Sequence, residues 1–449
     1  MKILIQRTLY FGIIVLLFTL GFYKNQWVGV DMSEFHYRRD VSEIYILGRL
    51  VRSQQAGVFS DGGLLGIGDV DDSSVASNVI NNQYDKYENG EGFSKYWAYK
   101  SHPGFQGILY SLFDSYTNLS PAMNLSILRL SISLLLSFIL GIFCLWIVLE
   151  VGWLASISTV ISILISKWLA LLGGNLFWSM WSFYLPAVIV SLLLWKNEEI
   201  DNKWWIIRFT FIVFFVSLLK ILFSGFEFIT AGLLMVTVPF VYYSILNKWE
   251  WKVFVGRMMG IGIGLAGSVI VGLVILGIQV KSVIGNYKEA IEYIVFSWSK
   301  RTYGYEELLG DSSRASESAV GKTLEVVNHY LNGYAFSLSS RLSTTSVLIR
   351  DLLNGKYLFL ILLFAVFTSI FLIQCRSSEK KEINRTGVAL IVATWYSILS
   401  PLSWLVVFRD HAALHTRLDF IVWQMPYMLY GFALVGFVIS TLVNYQSPK

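Results

Sequence analysis

Two histidines, His411 and His415, follow Arg409 and Asp410 at a spacing of four residues. That spacing puts both rings on one face of a helix. Such a pair can grip a metal ion or donate to a phosphate. The chain has only five histidines, and two of them stand beside this arginine. No third ligand follows at a fixed spacing, so phosphate is the better match, while Asp410 and Asp419 are placed to tune the pair. Lys220, Arg409 and Arg129 are further cations near the ends of apolar runs. A guanidinium offers a planar fork to phosphate oxygens and an ammonium a point charge, and both suit a departing phosphate. Arg129 equally fits headgroup anchoring. Asp31 and Glu34 lie just after the first apolar run, where a carboxylate can act as a general base or a metal ligand. They are the candidate catalytic acids. Candidate substrate-binding residues are Glu227 in Gly225-Phe226-Glu227-Phe228, Asn175 and Trp178 in Asn175-Leu176-Phe177-Trp178, and His102 in His102-Pro103-Gly104. Their aromatic neighbours fit either an interfacial belt or stacking on a sugar ring.

The elements that must carry these groups are membrane helices. Of 449 residues, 55% are apolar, 16% aromatic and only 14% charged, and the mean hydropathy is +0.59. Soluble domains carry about 25% charged residues. Ten apolar runs fall near 1–24, 127–150, 152–172, 178–195, 204–223, 225–245, 253–280, 356–375, 387–407 and 418–443. Several approach the roughly 20 residues of a spanning helix. The expected fold is therefore an all-α polytopic membrane protein with about ten transmembrane helices. Helix 1 lies in 1–24, helices 2–7 in 127–280 and helices 8–10 in 356–449, with long loops at 25–126 and 281–355. Within the first loop, 41–52 has the apolar face of a helix lying on a membrane surface, 60–92 reads as irregular, and the aromatic run 96–116 returns to the membrane. The stretch 311–318 is polar loop.

Cations set the orientation. Lys196, Lys203, Lys248, Lys252, Arg257, Arg376, Lys380, Lys381 and Arg385 fall in one set of short connections. By the positive-inside rule both termini are expected in the cytoplasm and both long loops outside, in a cell (inner) membrane. The net charge of +5 reads as this orientation signal and not as nucleic-acid binding. Acids and cations from at least six segments then share the outer membrane level, where unpaired charge is costly. The two cysteines, Cys144 and Cys375, supply neither a disulfide framework nor a zinc site. Gly256, Gly260 and Gly264 form a helix-packing ladder. There is no Walker signature and no nucleophile elbow, which argues against ATP-driven transport by this chain alone.

This layout resembles the GT-C superfamily of multi-pass glycosyltransferases, and the multi-pass proteins of bacterial surface-polysaccharide loci. The resemblance rests on the topology and on Arg409-Asp410-His411-Ala412-Ala413-Leu414-His415, the 175–178 turn and Gly225-Phe226-Glu227-Phe228. It implies inverting transfer of a sugar from a polyprenyl-phosphate carrier in the membrane to a glycan, lipid or protein acceptor. It further implies that Asp31 deprotonates the acceptor, and that Arg409, His411, His415 and Lys220 hold the carrier phosphate. Several branches have adjacent acids early in the first loop, whereas Met32 and Ser33 separate Asp31 from Glu34 here. The sequence requires no cofactor, leaves a divalent cation open and does not set the oligomeric state. The competing readings are a lipid-linked oligosaccharide polymerase, against which the larger loop coming first counts, and a flippase or other transporter. A transporter should show polar groups near the bilayer midplane and internal repeats.

Overall fold

Ser120 accepts a hydrogen bond from the Met123 amide and Pro121 takes the first helical position, so a helix opens well before the apolar run it carries. That helix, α5 (Pro121–Glu150), is one of 19 α-helices among the described residues of the computed structural model, which are 2–70, 76–195, 203–302, 319–339, 346–377, 384–416 and 418–445. Lys196, Lys380, Lys381, Arg417 and the polar stretch 311–318 lie outside them, as does the side chain of Lys203.

The bundle consists of α1 (Lys2–Lys24), α5, α6 (Trp153–Leu164), α7 (Lys167–Leu172), α8 (Trp181–Trp195), α9 (Lys203–Ser224), α10 (Ile229–Leu246) and α11 (Trp251–Ile284), followed later in the chain by α15 (Tyr357–Ser377), α16 (Arg385–Ser397), α17 (Leu399–Val407) and α19 (Tyr427–Tyr445). Helix α1 packs on α5, α9 on α11, α10 on α16 and α17, and α6 on α19. Seven segments are long and apolar enough to cross a membrane, with α16 and α17 forming one of them. The chain is thus an all-α polytopic membrane protein. Three further apolar helices, in α6, α8 and α19, are shorter.

The runs are interrupted where local capping wins. The run 152–172 breaks because Ser166 accepts from the Leu169 amide and opens α7 as a new helix. The run 387–407 breaks at Ile398, and 418–443 starts with the 3-10 turn Asp419–Gln424 before α19.

One end of the bundle carries a folded layer. Helix α2 (Met32–Ala56) extends the expected surface helix in both directions. Next come α3 (Ala76–Asn89), the antiparallel pair β1 (Gly66–Gly68) and β2 (Tyr96–Ala98), and α4 (Phe105–Tyr116). The irregular segment expected at 60–92 is therefore corrected. Ile80, Gln83, Tyr84 and Tyr87 recur at helical spacing; Gln83 is buried and bonds both the amide and the carbonyl of Gly68. Arg49 holds the connection after α2, donating to the carbonyls of Gly57, Val58, Ser60 and Leu64 and to the hydroxyls of Ser53 and Ser60. Buried Glu43 anchors the layer to the bundle: Arg129 of α5 donates to its Oε2 at 2.9 and 2.6 Å, and the Leu176 amide to its Oε1 at 3.0 Å. The same end receives α12 (Tyr287–Thr302), α13 (Ala319–Leu331), α14 (Val347–Leu353) and the short α18 (Arg409–Leu414).

Candidate functional site

Gly225 and Phe228, both at positive φ, turn the chain between α9 and α10. Gly225 also abuts the His102 ring, where a Cβ would come within 2.6 Å. The turn is fixed from below by Lys220, whose Nζ donates to the carbonyls of Gly225 (2.9 Å) and Glu227 (2.6 Å) and stands over the Phe183 ring. Lys220, expected at a carrier phosphate, thus holds backbone in the interior.

The turn presents Glu227, only 5% exposed. Arg301, near the end of α12, places Nη1 3.0 Å from Oε1, and His411 Nε2 stands 3.4 Å from Oε2. The Arg301 and His411 charges hold the Glu227 carboxyl well below its usual range despite its burial, which acts in the opposite sense. Arg301 also donates to Tyr99 Oη at 3.0 Å. The His411 ring lies 4.3 Å from that of His415, centroid to centroid, and edge-on to Trp404. His415 is exposed and lines the cavity above the cluster. Burial first, and then His411, lower its pKa to about 4.

Above this cluster is a cavity of about 290 Å³. Lys300, Arg301, His411 and His415 line it together with Tyr99, Tyr293 and Phe296, and among the described residues no acid does. A second cavity, of about 350 Å³, lies on the other face of α18. It mixes Lys322, Arg409 and His329 with Glu325 and Asp410. Arg409 Nε donates to Asp410 Oδ1 at 2.9 Å. The expected phosphate set is therefore divided: His411 and His415 face the first cavity, Arg409 the second, and Lys220 neither. Among the described residues no group of three or more His, Cys, Asp and Glu side chains is arranged to hold a metal ion.

The remaining candidates are engaged elsewhere. Asp31 caps α2 and is exposed, with its Oδ1 accepting from the Ser33 amide and hydroxyl and from the Glu34 amide. The Ser33 and Glu34 hydrogen bonds lower its pKa. Asp31 precedes Ser42, where α2 meets Trp178, by three turns, roughly 16 Å of helix. It lines neither cavity. Glu34 pairs with Lys167 at 3.2 Å. Asn175 accepts from the amides of Phe177 and Trp178, closing the turn between α7 and α8. Trp178 is buried, donates to Ser42 Oγ and stacks on Phe228, so its face is not open to a sugar. His102 is 1% exposed, and its Nδ1 accepts from the Gly104 amide.

Arg301, Lys300, Tyr99 and Glu43 were not anticipated from the sequence. The signal for the first two was present: Lys300-Arg301 ends a stretch in which Tyr287, Ile291 and Val295 recur every four residues.

No family model, no curated protein and no solved structure matches this chain.

Two expectations follow from the outlying residues. Asparagine caps helices as well as aspartate does. Asp31→Asn should therefore leave unfolding unchanged within about 0.5 kcal/mol; a loss above about 1 kcal/mol would mean that the Asp31 charge itself is needed at this helix start. Burial depresses the His102 pKa from 6.5 to about 3. The unfolded chain then binds the extra proton between these values, so stability should rise with pH across that window and be lost as pH falls. The contribution is roughly 2 kcal/mol between pH 4.5 and 6.5. Unfolding followed against pH should be flatter in a His102→Gln variant.

Proposed function

We propose that the chain is an integral-membrane glycosyltransferase of GT-C type, transferring a sugar from a polyprenyl-phosphate carrier to a cell-surface acceptor with inversion. The observation that carries this reading is the cavity lined by Lys300, Arg301, His411 and His415, at the loop-bearing end of a membrane bundle. Four nitrogen-bearing side chains facing one space suit a phosphate that gains charge as it leaves. In this reading the acceptor oxygen bonds to the anomeric carbon while the bond from that carbon to the carrier phosphate breaks. The electron pair leaves with the phosphate, and the acceptor proton passes to the His415 imidazole. Glu227 orients His411 and balances Arg301. The second cavity, with donors and acceptors in near-equal number, suits the hydroxyls of an acceptor glycan.

The shorter helices in α6, α8 and α19 complete ten crossings in this reading. Lys248, Lys252, Arg257, Arg376 and Arg385 lie at the end opposite the cavity, which supports cytoplasmic termini and an outward-facing site in the cell membrane. Native mass spectrometry of the protein purified in mild detergent with added carrier tests the reading. A bound polyprenyl monophosphate, with or without one sugar, is the expected result. A bound diphosphate-linked oligosaccharide would favour a polymerase, and failure to bind any carrier would overturn the proposal.

A further inference from the structure

Helix α11 has 34 residues, about 51 Å at 1.5 Å per residue, against a hydrocarbon core of about 30 Å. Its excess is used in a hairpin. Gly285, at φ 104°, ends α11, and Asn286 Oδ1 then accepts from the Glu289 amide at the start of α12. The contacts give the direction of α12. A Cβ on Gly272 would lie 3.5 Å from the Phe226 ring, and that ring packs edge-on against Trp298 at 5.9 Å. Gly272 and Trp298 each stand thirteen residues from Gly285. Helix α12 therefore runs back along α11, from beyond the end of the bundle down to the level of Glu227.

Its composition suits that descent. Lys288, Glu289 and Glu292 occupy the first turns, and no charged residue follows until Lys300. Ala290 is buried, while Ile291 and Val295 are 57% and 62% exposed. They continue the outward face of α11, where Val274 and Ile278 are 57% and 53% exposed. Four aliphatic side chains on adjoining helices form an exposed apolar face at the outer edge of the span, and such a face marks a lipid or partner contact. Phe296 connects this face to the site, being 46% exposed and also part of the cavity lining. One turn further on, Lys300 and Arg301 supply the cavity's cations.

We infer that the α11–α12 hairpin is the docking track for the hydrocarbon tail of a lipid phosphate, guiding its headgroup past Phe296 into the cavity of Lys300, Arg301, His411 and His415. The inference rests on the proposed function and adds where the lipid enters and which helix selects for a long chain. The apolar face of α12 and the cations at its end act on one amphipathic molecule. The tail gains by burying methylenes against Ile291 and Val295, and the phosphate by charge.

The test uses the full chain in detergent micelles, with undecaprenyl phosphate and geranyl phosphate as long and short probes. An Ile291→Asn/Val295→Asn variant is expected to bind undecaprenyl phosphate about tenfold more weakly or worse, with geranyl phosphate binding unchanged. Unchanged short-chain binding also shows that the variant is folded. As a second readout, a benzophenone side chain at position 295 should crosslink to undecaprenyl phosphate, while one at Val366, an exposed position on α15, should not. Equal long-chain affinity in the variant, or equal crosslinking at both positions, overturns the docking track and leaves the transferase reading in place. If the unmodified protein binds neither probe, the transferase reading fails and the track with it.

Discussion

Replacing Glu227 with glutamine is expected to lower sugar transfer by 10²-fold or more without weakening the carrier. Glutamine keeps the volume of the side chain and removes its charge. Arg301 and His411 then face the cavity without a counter-charge, so its potential becomes more positive and a phosphate is held at least as tightly. Transfer suffers because His411 loses the carboxylate that orients it toward the departing phosphate, and one positioned donor to developing charge is worth about 10² to 10³ in rate. A residue with a purely structural role would lower binding and turnover together. The measurement is a split between KM for the carrier and kcat; equal turnover in the variant would remove Glu227 and His411 from the mechanism. Glu227→Ala goes further, leaving Arg301 buried and uncompensated. Loss of one partner of a buried pair costs about 3–5 kcal/mol, and Glu227→Ala/Arg301→Met should recover part of it.

The second large effect lies away from the cavity. Glu43→Ala is expected to destabilise the fold by about 3–5 kcal/mol. Glu43 is fully buried, Arg129 directs two nitrogens at one of its oxygens, and the Leu176 amide uses the other. Deletion leaves the Leu176 amide unsatisfied and the Arg129 charge without its carboxylate, with only Tyr84 Oη still accepting from Nη2, where α2, α5 and the 175–178 turn meet. Unfolding in graded denaturing detergent measures the loss. A change below about 1 kcal/mol would mean that water reaches the pair, because solvated pairs contribute little. Glu43→Ala/Arg129→Met should be milder than Glu43→Ala, since neither charge then remains.

The membrane class was legible in the sequence because long apolar runs admit few other folds. The interruptions were less so. Ser166 opens a new helix inside an apolar run, and one hydroxyl hardly changes an average over twenty residues. Helix α3 was hidden by its asparagines, although Ile80, Tyr84 and Tyr87 kept helical spacing. In the site, residue type singles out His411, His415 and Glu227 at an apolar boundary, and the fold brings them together. Their counter-charge was not legible. Arg301 is 74 residues from Glu227 in the chain, and only the return of α12 along α11 joins them. Asp31, Asn175 and Trp178 show the converse. Their chemistry suits a site, but each is occupied by hydrogen bonds formed by the fold itself.

Arg49 has a consequence for sequence variation. Four of its six hydrogen-bond acceptors are main-chain carbonyls, which every residue type possesses. The segment from Gly57 to Leu64 is thus recognised through its path and hardly through its side chains. Substitutions at Val58 and Phe59 should be silent, whereas Gly57, Gly62 and Gly63 have a positive φ that disfavours other residues, Asp61 pairs with Arg52, and Leu64 is buried in the core. Position 49 is the opposite case, because a lysine has one nitrogen and cannot span acceptors placed around a planar fork. A saturation library would therefore find variation tolerated at Val58 and Phe59, paired with near-complete intolerance at the one residue that reads the path of the connection.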